Sequence, residues 1–171
     1  MPTIRKAELK DVDRLMEIFD RARKFMTAHG NANQWINGYP GRDFMESEIK
    51  EGHCYACCDE TDGNIIGTFC FIPGPDPTYS HIEDGEWPDD EPYYVIHRLA
   101  SDGSRNGIGE ICFDWCFSHY PNIRIDTHRD NKVMLSLLKK YGFTRCGIIY
   151  IANGTPRIAF IKKNEANRKK I

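Results

Sequence analysis

The chain has no apolar run long enough to cross a membrane. Such a span needs about 20 consecutive apolar residues, and the longest runs here are only a few residues. The opening Met1-Pro2-Thr3-Ile4-Arg5-Lys6 lacks the apolar stretch of a secretory leader, so a cytoplasmic location is expected. A surplus of one charge is also missing. Lys and Arg number 23 against 25 Asp and Glu, for a formal net charge of −2. That gives no electrostatic reason to expect nucleic acid or an anionic membrane as a partner. Only Arg168-Lys169-Lys170 is locally basic, and a solvated tail over 163–171 accounts for it. The seven cysteines are an odd number and do not suggest a disulfide framework. Cys54 and Cys57 have metal-type spacing, but a strand-like run points them to opposite faces. No second ligand pair follows, so no metal is expected. Cys112 and Cys116, one helical turn apart beside Phe113 and Trp115, read as core packing. Repeats, low-complexity tracts and interdomain linkers are missing too. The expectation is one domain, with an ordered core over about 3–162.

What is present is a clear order of elements. A short strand opens the chain at 3–6. An amphipathic helix follows over 11–28, with Val12, Leu15, Met16, Phe19, Ala22, Phe25 and Met26 at helical spacing and Gly30 beyond its end. An amide-rich linker over 31–41 leads to a short helix at 42–51. Strands at 53–58 and 65–72 flank the turn signal Asp62-Gly63. Residues 73–92 are irregular and rich in Pro, Gly and acid. Then come a strand at 93–100, a helix at 107–119, a strand at 122–127 and a helix at 131–141. Strands at 145–151 and 157–162 form a hairpin around Asn153-Gly154. The resulting order, β-α-α-β-β-β-α-β-α-β-β, predicts an α/β fold with a mixed sheet and helices on its faces.

The most informative stretch is Leu99-Ala100-Ser101-Asp102-Gly103-Ser104-Arg105-Asn106-Gly107-Ile108-Gly109-Glu110. A strand enters a loop with three glycines that opens directly into a helix. Glycines let backbone N–H groups approach a ligand closely, and a helix N-terminus adds positive potential, so the pattern suits a phosphate or pyrophosphate. A Walker loop would end in Gly-Lys-Ser/Thr, whereas Gly109 precedes Glu110-Ile111. A dinucleotide fingerprint would need a third glycine where Cys112 stands.

The segment resembles instead the acetyl-CoA loop of the Gcn5-related N-acetyltransferase (GNAT) family, Gln/Arg-x-x-Gly-x-Gly/Ala after a strand. Gly107 and Gly109 match, and Ser104 replaces the usual Gln/Arg beside Arg105. A second motif, Asn-x-x-Ala-x-x-Leu-Tyr-x-x-x-Gly-Phe, is similar to 131–143 here. Asn131, Leu137, Gly142 and Phe143 are in register, with Met134 for Ala and Leu138 for Tyr. The order of elements agrees along essentially the whole chain. The resemblance implies a sheet splayed between the strands at 93–100 and 122–127, with the pantetheine arm in the gap. It implies acetyl-CoA as cosubstrate, held by Leu99, Ala100, Gly103, Ser104, Arg105, Asn106, Gly107, Ile108, Gly109 and Asn131. It also implies direct transfer to the amine of a small molecule or peptide, and dimers are common among such proteins.

Direct transfer needs a base for the amine, a donor for the carbonyl oxygen and a proton for the thiolate. His97 is the first candidate base because imidazole titrates near working pH; Glu91, with Asp89 and Asp90 before it, is the second. Leu138 stands where relatives carry the proton-donating tyrosine, which leaves Tyr141, one turn on, as an alternative donor. Asp126 and His128 on the opposite wall are not expected to pair. Trp35, Tyr39, Tyr79 and Trp87, with Glu83, Glu86, Asp89 and Asp90, supply aromatic and negative surface for a cationic amine such as a polyamine, amino acid or aminoglycoside. The alternative is a non-catalytic acyl-CoA-binding or interaction module on the same fold.

Overall fold

The computed structural model describes residues 1–164; the basic stretch Arg168-Lys169-Lys170 lies outside them. Seven strands form one sheet: β1 (Thr3–Lys6), β2 (Cys54–Cys58), β3 (Ile65–Pro73), β4 (Tyr94–Ser101), β5 (Asn122–Thr127), β6 (Thr144–Tyr150) and β7 (Pro156–Lys163). Their spatial order is β1-β2-β3-β4-β5-β7-β6. Every pairing is antiparallel except β4–β5, which is parallel. Four helices cover the sheet: α1 (Val12–Ala28), α2 (Arg42–Lys50), α3 (Ile108–His119) and α4 (Lys132–Tyr141). The predicted fold class and element order are those observed, with boundaries differing by a residue or so.

Strand alternation divides the core into two layers. On β2, Cys54, Ala56 and Cys58 face the side covered by α1 and α2, where they meet Leu15, Ile18, Phe19, Met45 and Ile49. Cys57 faces the other side, against Ile108 and Cys112 of α3 and Phe69 and Phe113. All seven cysteines are free and buried. Cys112 and Cys116 are core residues, as their neighbours Phe113 and Trp115 suggested. The split follows from the period-2 geometry of a strand, which sends successive side chains to opposite faces.

Two local features make a gap in this sheet. First, β4 and β5 pair only at Tyr94↔Ile123 and Val95↔Arg124. Beyond Val95 the two strands no longer pair, and the sheet is open between them. Second, β4 carries an extra residue. Cys70 and Thr68 of β3 pair with His97 and Ala100, so three steps on β4 oppose two on β3. A bulge of this kind bends its strand and re-aims side chains. Arg98 within it has φ +56, a left-handed conformation that costs about 1–3 kcal/mol for a non-glycine residue and persists where its surroundings fix it. Here Glu48 (3.0 Å), the Tyr39 hydroxyl (2.9 Å) and the Cys70 sulfur (3.4 Å) all hold the guanidinium.

The amide-rich linker is fixed by its amides. Gln34 Oε1 accepts from Asn31 and from Asn131, each at 2.9 Å, and its Nε2 donates to Thr127 Oγ1 at 3.4 Å. Residues 73–92 are tied to β6 instead. Glu83 and Ile148 exchange backbone hydrogen bonds of 2.9 and 2.7 Å. A Cβ on Gly147 would come within 2.5 Å of the Glu83 carbonyl oxygen, so only glycine admits this approach.

Candidate active site

The gap between β4 and β5 opens into a cleft of about 1370 Å³. Its floor is β4 from Ile96 to Ser101, one end is the glycine loop, and the linker and the end of β5 form the other.

At the glycine-loop end, Gly107 is the N-cap of α3 with φ +84. No backbone atom lies near the point where its Cβ would be, the nearest heavy atom being Glu110 Oε2 at 3.9 Å. Gly103, at φ +78, has nothing within 4 Å of that point. The first helical bond runs from Ile111 N–H to Gly107 C=O at 3.1 Å, so the N–H groups of Ile108, Gly109 and Glu110 lie ahead of it. Such orphan donors and the helix dipole suit an anion. Asp102 anchors the loop through Arg14 (2.8 Å) and accepts from Ser104 N–H (2.9 Å).

The other loop residues divide by role. Arg105 borders the cleft, but its charge is shared with Glu60 at 3.1 Å. Leu99, Ala100 and Asn106 also border it, whereas Ser104 does not. Ile108 packs its side chain into the core. Gly109 permits close helix packing, since a Cβ there would meet Leu137 Cδ2 at 2.6 Å. Asn131 is the N-cap of α4: its Oδ1 accepts from Met134 N–H at 3.1 Å and its Nδ2 holds Gln34. Its side chain is thus occupied in organising the cleft wall.

In the middle of the cleft, His97 Nε2 lies 2.9 Å from Asp76 Oδ2. Sequence reasoning missed Asp76. It is the N-cap of the short turn Pro77–Tyr79, taking hydrogen bonds from Thr78 N–H (2.9 Å) and Oγ1 (2.7 Å) on Oδ1. Burial alone would raise the Asp76 carboxyl, but the bonds from His97 and Thr78 outweigh it and bring it down to about 2. An ionised Asp76 fixes the tautomer: Nε2 carries the proton and donates it. Nδ1 is then left as the acceptor, as in other carboxylate–imidazole pairs. The local sequence Asp76-Pro77-Thr78 carries a capping signal. Nothing local says that the loop returns to His97.

Several other expectations are corrected. Glu91 does not border the cleft; it accepts from Lys163 Nζ at 3.2 Å, near the closed end of the β4–β5 pair. Asp89 likewise takes Lys163, and its carbonyl takes Arg124 at 2.8 Å. Tyr141 faces α3: its hydroxyl donates to Asp114 and its ring packs on Phe113 and Phe117. Leu138 is fully buried in the core. Neither residue borders the cleft, because the face of α4 turned toward it carries Met134 and Leu137.

Of the four aromatic residues, Trp35 and Tyr39 line the cleft. Tyr79 is buried with its hydroxyl on Asp126 at 2.6 Å, and Trp87 packs on Tyr79 and on Arg124. Glu83 accepts from the Tyr150 hydroxyl at 2.8 Å, on β6. Away from the glycine loop, the carboxylates that border the cleft are therefore Asp76 and Asp126. Asp126 and His128 do not meet: β5 ends at Thr127, and His128 turns into the next loop to accept from Asp130 N–H at 3.0 Å.

This architecture is similar to solved acetyltransferases. A GNAT-family acetyltransferase from Streptococcus agalactiae superposes with a TM-score of 0.84 at 27% identity, covering 95% of each chain. One from Listeria monocytogenes gives 0.68 at 20% identity, covering 95% of this chain and 94% of that one. Ard1 from Thermoplasma volcanium gives 0.64 at 15%, covering 95% and 97%. The last two likenesses concern fold alone. No family model and no curated protein matches the sequence.

Proposed function

We propose, from the GNAT acetyltransferase fold that this chain has, that it is an acetyl-CoA-dependent N-acetyltransferase acting directly on an amine. The observation that carries this reading is the placement of His97, backed by Asp76 at 2.9 Å, on the floor of the β4–β5 gap. When bound, acetyl-CoA supplies an activated acetyl thioester. The loop fits such a ligand, since a Cβ at Gly103 or Gly107 would stand in open space beside the first N–H groups of α3. Those N–H groups would hold the pyrophosphate, and β4 backbone beyond Val95, unpaired by β5, would hold the arm.

The amine arrives as an ammonium; His97 Nδ1 would take one of its protons, and the freed nitrogen would then bond to the acetyl carbon as the carbon–sulfur bond breaks. Asp76 holds the ring and stabilises the imidazolium. With Leu138 and Tyr141 turned away, the departing thiolate would take, through water, the second proton that the nitrogen sheds, and the imidazolium would return its own to solvent. A positioned base contributes typically about 10²–10⁴-fold to rate. His97→Ala should therefore lower the acetylation rate by that order while acetyl-CoA affinity, measured by calorimetry, changes little. The loss should shrink at high pH, where more of the amine is already neutral. A folded variant with near-wild-type turnover at every pH would remove His97 from this role.

The second reading, acyl-CoA binding without turnover, draws on the absence of an α4 tyrosine from the cleft wall. Thiol release from acetyl-CoA in the presence of amines separates the two.

A further inference from the structure

Two buried or half-buried charges border the half of the cleft away from the glycine loop, and among the described residues neither forms an ion pair. Arg157, on β7, is 4% exposed. Its Nη1 donates to Thr155 Oγ1 (3.2 Å) and to the Pro156 carbonyl (2.9 Å), and its Nη2 donates to the Gln34 carbonyl (3.0 Å). Among the described residues no carboxylate lies within ion-pair distance of it. Burial pushes its guanidinium down from the usual range, and the Asp126 charge is the leading influence in the opposite direction. Asp126, on β5, has the Tyr79 hydroxyl at 2.6 Å and no basic partner among the described residues.

The half-buried charges of the cleft near the middle and the glycine loop have partners: Asp76 takes the His97 N–H, Arg98 has Glu48, and Asp102 has Arg14. A buried guanidinium is normally matched by a carboxylate or phosphate, because leaving its charge unpaired away from water is costly. Arg157 has hydrogen-bond acceptors, but the Asp126 charge acts on it only from beyond ion-pair distance, and it borders the cleft beside His97.

We propose that the acceptor is a free amino acid, whose carboxylate pairs with Arg157 and whose ammonium is first met by Asp126 before delivery to His97. This rests on the acetyltransferase reading above and narrows it. A polyamine or aminoglycoside would set further positive charge against Arg157. A peptide N-terminus would bring an amide where a carboxylate is wanted. The planar guanidinium fork matches a carboxylate with two donors, which fixes the orientation of the ligand as well as its charge.

The test uses the CoA-loaded protein and paired probes: the twenty L-amino acids, the amines formed by their decarboxylation, spermidine and an aminoglycoside. Calorimetry reads binding, and initial rates with acetyl-CoA read transfer. At least one amino acid should bind, with its decarboxylated partner weaker by on the order of 10²-fold, the usual consequence of leaving a buried charge unmatched. Arg157→Gln should abolish that preference while leaving the affinity for the decarboxylated amine within a few fold. Arg157→Lys should keep part of it. If Arg157→Gln does not fold, the wild-type ratio and the Lys variant still decide the matter.

The inference is overturned if no amino acid binds, if spermidine, the aminoglycoside or a decarboxylated amine binds as well as the best amino acid, or if folded Arg157→Gln keeps the full preference. An amino acid that binds with this preference but is never acetylated supports the pairing of Arg157 with a carboxylate and overturns the catalytic reading, and the acceptor role with it. Acetylation of amines without regard to a carboxylate does the reverse.

Discussion

At the scale of single residues, Asp76 carries a pH signature of its own. Its carboxyl is held at about 2 in the folded protein against an ordinary 3.8. A lowered folded pKa means that the charged form is favoured by folding. Its contribution to stability is therefore full above 3.8 and is lost as pH falls towards 2. Asp76→Asn should lower the Tm near neutral pH, and the difference from wild type should shrink between pH 4 and 2; equal differences at pH 7 and pH 2, by calorimetry, would count against an ionised Asp76 held by His97 and Thr78. Leu138 and Tyr141 form a second residue-scale case. Leu138→Tyr places a larger ring and a hydroxyl in a fully buried apolar site. It should destabilise by about 1–3 kcal/mol through overpacking and should not raise turnover. Tyr141→Phe removes a hydroxyl bonded to Asp114 outside the cleft, so its turnover should equal wild type. Denaturant titration and initial rates check both. Asp76 also marks where sequence reading stops. Its capping role is written in Asp76-Pro77-Thr78, but its partner is 21 residues away and Asp126 is 47 from Tyr79. Such pairs depend on how loops cross the sheet, which no local pattern records.

At the scale of elements, the loop entering α3 combines two properties that can be separated. Gly107 at φ +84 is strained for any larger residue, and its Cβ would occupy open space at the helix N-terminus. Gly63, in the β2–β3 turn, has φ +74 and equally open surroundings but lies away from the cleft. Both Gly107→Val and Gly63→Val should cost about 1–3 kcal/mol of stability from backbone strain. Acetyl-CoA at 100 times its Kd stabilises a binding-competent fold by about 2.7 kcal/mol. That stabilisation, read as a rise in Tm, should persist in Gly63→Val and vanish in Gly107→Val. A full shift in Gly107→Val would mean that the pyrophosphate binds elsewhere. Most elements were legible because their signals are local. The apolar spacing of Leu15 and Phe19 marks α1, the glycines mark α3, and Asp62-Gly63 marks the β2–β3 turn. The bulge at Arg98 was not legible. An arginine gives no hint of a left-handed backbone, and its conformation is imposed by Glu48, Tyr39 and Cys70 on three other segments.

At the scale of the whole molecule, the cleft exists because one pair of neighbouring strands stops pairing after two residues. The element order suggested this gap through resemblance, and the sheet order β1-β2-β3-β4-β5-β7-β6 realises it. What the order did not reveal is the cleft wall away from the glycine loop, assembled by Gln34 through Asn131, Thr127 and Arg157 across separations of about a hundred residues. Acidic loops that looked suited to an amine, around Glu83 and Asp89, are turned to β6 and Lys163 instead. The central claim is that this gap transfers an acetyl group to nitrogen. The most direct measurement follows thiol release and the mass of the acceptor together, with wild-type protein, acetyl-CoA and a mixture of amines. The account predicts free thiol and N-acetylated amine appearing one for one, and neither without protein. Acetyl-CoA that binds and raises the Tm yet stays intact with every amine would contradict it.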